Sequence, residues 1–154
     1  MSKQKIWAAL TLFAFAVAPN LHAAHCSTAA SAGEWAYTYT GTIFTPNGPL
    51  PVASVGHFTA DSAGNLVGSQ SRSVAGSSGV EDITGTFNVN KDCTGTATIN
   101  VLMNGQVQRT AVLALAYDNN QNHARGIFLS LVLPDGTNIP VVITSDNSRV
   151  FIKE

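Results

Sequence analysis

From Glu34 to the C-terminus the chain is a succession of short segments in which apolar and polar residues alternate, each bounded by turn-forming residues. No stretch carries a helical period long enough to compete. Alternation with a period of two marks a strand with one buried face. The segments fall near 34–44, 52–60, 65–75, 81–90, 94–103, 106–117, 123–133, 139–145 and 148–153. Between them lie Pro46-Asn47-Gly48-Pro49, Asp61 to Asn65, Asn104-Gly105, Asp118 to Asn122 and Pro134-Asp135-Gly136. Eight strands, or nine if the last segment stands alone, joined by such short connections predict an all-β, antiparallel up-and-down meander. Closure into a single barrel removes the exposed edges that invite aggregation. A two-sheet sandwich is the alternative. Gly-Thr-Ile-Phe at 41, Gly-His-Phe-Thr at 56, Gly-Thr-Phe-Asn at 85 and Gly-Thr-Ala-Thr at 95 recur without a fixed period, which points to repeated hairpins rather than a propeller or solenoid.

The first residues follow another pattern. Lys3 and Lys5 precede an apolar run, Ile6 to Ala18, followed by Pro19 and Asn20 and then by Ala23 and Ala24. This is the layout of a secretory signal peptide, with cleavage expected after Ala23. The run is shorter than the roughly 20 residues that span a bilayer. A lipid anchor at Cys26 would need a small residue before it, where His25 stands. The expected organisation is a signal peptide at 1–23, an N-terminal segment at 24–33 and a β-barrel domain at 34–154. The expected location is periplasmic or extracellular, with no stable membrane insertion after cleavage. Cleavage would remove two of eight basic residues and none of nine acidic ones, leaving 154 − 23 = 131 residues with a charge of 6 − 9 = −3. Nucleic-acid binding calls for a basic footprint, so no such partner is expected.

In an oxidising compartment the two cysteines, Cys26 and Cys93, are expected to pair and to staple the N-terminal segment to the turn around Asp92 to Gly95. No metal site or cofactor is expected: His25, His57 and His123 show no clustered ligand spacing. There is no P-loop, dinucleotide fingerprint or His-Glu-x-x-His. Gly76-Ser77-Ser78-Gly79 is not a nucleophile elbow. Most aspartates sit at turns, where they cap their own backbone. No catalytic residue is identified.

Strand parity assigns faces. Ile83, Gly85, Phe87 and Val89 form an odd-numbered inward set, continued by Ala97, Ile99, Val101 and Met103. A three-residue turn with Gly105 left-handed, pairing Val101 with Val107, keeps odd positions inward and places Arg109, Leu113, Leu115 and Tyr117 inside. Carried across the loop 118–122, the same parity directs His123, Arg125, Ile127, Leu129 and Leu131 inward, and Phe128 and Val132 outward. On the second strand Gly56 and Phe58 face in and His57 out; Leu66, Gly68, Gln70 and Arg72 follow inward. The first strand presents Trp35, Tyr37, Tyr39 and Ile43.

Two resemblances rest on particular residues. Gly33-Glu34-Trp35 resembles the Gly-x-Trp signature of lipocalins and related calycin barrels, and Arg149 would be the arginine that family packs over its tryptophan. Tyr117-Asp118-Asn119 departs from that family's Thr-Asp-Tyr. Gly56-His57-Phe58-Thr59-Ala60-Asp61, Gly64-Asn65, Gly85-Thr86-Phe87 and Asp92-Cys93-Thr94-Gly95-Thr96 resemble strings in uncharacterised secreted bacterial β-barrel proteins, which implies an exported barrel-like domain and no activity.

The functional expectation is a barrel that binds a small hydrophobic or amphipathic molecule without catalysis. Its site would comprise Trp35, Tyr37, Tyr39, Arg72, Arg109, Tyr117 and Arg125, the arginines offering an anion bidentate partners. A single rim arginine extends equally well into water. The alternatives are a structural or interaction module, acting as an oligomer through the apolar outer face of the 123–133 strand, and a cofactor-free enzyme resembling allene oxide cyclase or dirigent barrels. The last rests on fold analogy alone.

Overall fold

A computed structural model describes residues 25–150. The signal-peptide segment 1–23, and the end of the last expected strand beyond Val150, lie outside the described residues. Eight strands run in order: β1 (Gly33–Thr45), β2 (Gly48–Ala60), β3 (Asn65–Val74), β4 (Ser77–Val89), β5 (Thr94–Met103), β6 (Gln106–Asp118), β7 (His123–Val132) and β8 (Val141–Arg149). Each pairs antiparallel with its neighbour, and β1 pairs with β8, so the sheet is a closed up-and-down barrel. The segments near 139–145 and 148–153 are one strand, which settles the count at eight. No helix among the described residues is long and apolar enough to cross a membrane.

The registers explain both the agreements and the departures. Trp35 pairs with Phe58, Phe58 with Gly68, and Gly85 with Ile99, so the expected faces of β1 to β5 hold. At β5–β6 the inward positions are right but the route differs. Asn104 and Gly105, both at positive φ, form a two-residue turn pairing Met103 with Gln106, and a bulge at Gln108 then restores Val101 opposite Arg109. The bulge's extra residue returns odd positions to the lumen.

The expected parity of β7 is corrected. Asp118 pairs directly with His123 across a four-residue loop, so Tyr117 lies opposite Ala124 and odd positions meet even ones. From His123 to Phe128 each side chain is therefore displaced to the other face. Ala124 and Phe128 turn into the barrel, while Arg125, Ile127 and Leu129 turn out, the last two 47% and 61% exposed. A second bulge, opposite Val112 and Leu113, brings Leu131 back inside as expected.

An eight-stranded barrel is only wide enough for its side chains to fill, so large inward residues need small ones beside them. The ladder supplies them in pairs: Tyr37 opposite Gly56, Phe58 opposite Gly68, Ile99 opposite Gly85, Leu115 opposite Gly95 and Gly126, and Ile143 opposite Gly41. A Cβ at Gly56 would lie 2.7 Å from the Tyr37 hydroxyl, and one at Gly68 would lie 2.8 Å from Phe58 Cβ.

One end is plugged by the N-terminal segment. Cys26 and Cys93 form the expected disulfide, and a one-turn helix, Ala29–Ser31, lies beneath Trp35. The Trp35 indole N–H donates to the Ser31 carbonyl at 3.0 Å, and the Val89 amide donates to the Thr28 hydroxyl at 3.0 Å. Gln121, from the loop after β6, accepts from the Ser27 amide and donates to the Ser27 carbonyl and the Ser31 hydroxyl. Closing a loop with a sequence separation of 67 residues stabilises the fold by about 4 kcal/mol on the chain-entropy account.

The glycine-under-ring arrangement has a direct test. Gly68→Ala should destabilise the barrel by about 1–3 kcal/mol in urea denaturation, because Phe58 and the β2 backbone must move. Gly79→Ala, whose added Cβ meets nothing within 4 Å, should be close to neutral. Equal midpoints for the two variants would refute the packing account.

Candidate functional site

The lumen retains a cavity of about 90 Å³. Its walls are mainly apolar, with the aromatic side chains of Trp35, Tyr37, Tyr39, Phe58, Phe87, Tyr117 and Phe128 among aliphatic neighbours. Gln70, Arg109, Ser145 and Asn147 supply polar atoms. Trp35 anchors the plugged end: Phe58 stacks on it with centroids 6.1 Å apart, Tyr117 meets it edge-on at 6.4 Å, and the Arg149 guanidinium lies 5.5 Å from the ring centroid. The last contact is a cation–π interaction. Arg149 also donates to the Ala30 carbonyl, which ties the end of β8 to the plug.

Further along the lumen the lining becomes polar. Tyr37 and Tyr39 share the inward face of β1, and the Tyr37 hydroxyl donates to Gln70 Oε1 at 2.9 Å. Ser54 also donates to Gln70 Oε1, at 3.3 Å, and the Gln70 amide donates to Glu81 Oε2 at 2.8 Å. Glu81 is the centre of the group. Arg72 Nε donates to its Oε1 at 3.0 Å, Arg109 Nη1 donates to the same oxygen at 2.9 Å, and Arg109 Nη2 engages Oε2. The Glu81 side chain is 1% exposed, whereas those of Arg72 and Arg109 are 24% and 15% exposed.

Burial by itself would raise the Glu81 pKa, but the hydrogen bonds from Arg109, Arg72 and Gln70, with the Arg109 charge, outweigh it and bring it down to about 2. The same pairing raises Arg109 against the opposing effect of its own burial. Burial raises both Tyr37 and Tyr39, so these phenols stay neutral. Tyr117 is pushed up to about 12 by burial.

Five of the seven expected site residues, Trp35, Tyr37, Tyr39, Arg109 and Tyr117, line the cavity together. Arg72 faces in but is off the cavity wall, paired with Glu81. Arg125 is corrected: its side chain is 68% exposed on the outer surface and donates to Asp118 Oδ2 at 3.0 Å. Glu81 was not anticipated, although the odd parity of Ile83, Gly85, Phe87 and Val89, extended one step toward the N-terminus, points it inward. Phe128 was missed through the register change at the 119–122 loop.

A second cluster lies outside, at the plugged end. His123 Nδ1 contacts Asp118 Oδ1 at 2.6 Å, and its Nε2 contacts Asp146 Oδ2 at 3.0 Å. The hydrogen bond to Asp118, then that to Asp146, raises the imidazole pKa above its ordinary 6.5. The adjoining loop holds Asn119, Asn120 and Gln121 all at positive φ, a conformation that costs L-residues energy and needs support from its surroundings.

No protein-family model matches the chain, and no curated protein matches it.

Two pH effects follow, of opposite sign. Glu81 has an ordinary value of 4.5 and about 2 when folded, so its contribution is full above pH 4.5 and is lost as pH falls toward 2. That loss should amount to about 3 kcal/mol, seen as an acid-side slope in denaturation midpoints that Glu81→Gln removes. Because Glu81→Gln strands two arginines, its neutral-pH stability should fall by about 3–5 kcal/mol. His123 is raised on folding, so its contribution is present below 6.5 and disappears as pH rises through the folded value. The imidazole resonances should titrate above 6.5 in the wild type, and lower in Asp146→Asn; a wild-type midpoint at or below 6.5 would contradict the assignment.

Proposed function

We propose that the protein is an exported barrel that binds one small hydrophobic or amphipathic molecule in its lumen and carries out no chemistry on it. The observation that carries this reading is the aromatic-walled cavity between Trp35 and the Arg109–Glu81 group. It has the composition of a ligand site: apolar walls with a few polar atoms that fix orientation. Its volume is well below the roughly 300–1,000 Å³ of ordinary drug-sized pockets, which limits the buried part of a ligand to no more than one ring. An apolar cavity of about 150 Å³ accepts benzene; at about 90 Å³ this one encloses less than that, so part of a ring-bearing ligand must project from it. Export is supported by the leader-like N-terminal pattern and by the Cys26–Cys93 disulfide, which persists in an oxidising compartment such as the periplasm or the extracellular medium.

A second reading has its own observation. Ile127 and Leu129 on β7 and Val142 on β8 are 47%, 61% and 59% exposed on the outer face, and such aliphatic exposure suits an interaction module acting as an oligomer.

Native mass spectrometry of the protein purified from its own host separates the two. A monomer carrying a small-molecule adduct is the expected result. A defined oligomer without adduct would favour the interaction module, and a bare monomer would count against both.

A further inference from the structure

We propose that the lumen ligand carries a single negative charge, held against the free donors of Arg109 while its apolar part lies among the aromatic rings. This rests on the lumen-binding reading and adds the charge and orientation of the ligand.

The argument is a charge count. Arg72 and Arg109 bring two positive charges and Glu81 brings one negative, so the group carries 2 − 1 = +1. Among the described residues Glu81 is the only carboxylate paired with either guanidinium. Tyr37 and Tyr39, the other ionisable neighbours, remain neutral phenols and supply no counter-charge. Glu81 stays ionised down to about pH 2, so the surplus persists throughout the physiological range.

Geometry places the surplus at the site. Each guanidinium has five N–H groups in a planar fork. The contacts to Glu81 use Nε and Nη2 of Arg72 and one hydrogen on each Nη of Arg109, leaving donors on both. Arg109 lines the cavity beside Tyr37, Tyr39 and Gln70. Arg109 lines the cavity and Glu81 does not, so an anion in the lumen meets the Arg109 guanidinium, while Arg72, off the wall, supplies the second positive charge through its pairing with Glu81. A half-buried cation surplus is costly in the empty barrel and is neutralised by a carboxylate or similar monoanion. Trp35 and Phe58, toward the plugged end, fix the opposite polarity, with the ring inward and the head outward.

The test uses two probes that share a ring, benzoate and benzyl alcohol, titrated calorimetrically into the purified full-length mature protein near pH 7. Both should bind, with benzoate tighter by roughly tenfold or more, as a charge-assisted hydrogen bond confers. In Arg72→Gln, which cancels the surplus while leaving Glu81 paired with Arg109, the preference should fall to about one. In Arg125→Gln, on the outer surface, it should persist. Equal wild-type affinities would overturn the charge assignment and leave the lumen reading standing, and this comparison needs no variant. Loss of preference in Arg125→Gln but not in Arg72→Gln would overturn it by locating the anion outside. Failure of both probes to bind would remove the lumen reading and this inference with it.

Discussion

The interior of an eight-stranded barrel is about as wide as two facing side chains, and every other feature of this molecule works within that limit. Some of the inward rings fit because the partner strand has no side chain opposite them: Tyr37 lies over Gly56 and Phe58 over Gly68. These gaps accommodate Phe58 stacked on Trp35 and Tyr37 tilted against Phe58. The space left over is small and bounded by aromatic rings together with aliphatic side chains such as Leu66, Ile83, Ile99 and Leu113. A pre-shaped apolar void of this kind binds without first ordering its walls, which lowers the cost of association.

The two ends of the lumen differ in kind. At the plugged end the satisfying groups are backbone and amide: the Ser31 carbonyl takes the Trp35 N–H, and Gln121 spends both ends of its amide on Ser27 and Ser31. That end is closed, stapled by the disulfide, and carries the Arg149 guanidinium over Trp35. The polar group around Glu81 is ionic. Replacing a buried ion group by apolar residues of similar volume is often neutral or stabilising, so stability alone does not account for it. A charged group beside an apolar cavity gives the lumen a direction, which a uniformly greasy interior would lack.

How much of this is legible in the sequence depends on whether the ladder keeps a simple parity. From β1 to β5 the turns pair positions regularly, and the alternation of Ile83, Gly85, Phe87 and Val89 identifies the inward face without error. At β5–β6 the face is legible and the turn is not, because a two-residue turn plus a bulge at Gln108 is equivalent in parity to a three-residue turn. At β6–β7 parity fails. The loop length between Asp118 and His123 depends on three left-handed residues, Asn119, Asn120 and Gln121, of which Gln121 is held by hydrogen bonds to Ser27 and to Ser31, the latter 90 residues away. Local sequence carries no sign of that support, so Arg125 is misassigned and Phe128 overlooked. Glu81 is a different case: its parity is plain, but a carboxylate at an inward position reads as a strand end until Arg72 and Arg109 are seen to converge on it.

The same register change bears on the choice between a carrier and an interaction module. Turning Phe128 inward, to within 5.5 Å of the Tyr39 centroid, requires its neighbours Ile127 and Leu129 to face out, because adjacent strand residues alternate. The bulge that then returns Leu131 to the core leaves Leu129 as the unmatched residue on the outer face. Exposure of Ile127 and Leu129 is thus already implied by the packing of the lumen, and it would occur whether or not anything docks there. The cavity has no comparable explanation, since Phe or Leu in place of Ala97, Ala111 or Ala124 on its wall would fill it. Of the two apolar surfaces, the interior one is the more informative about function.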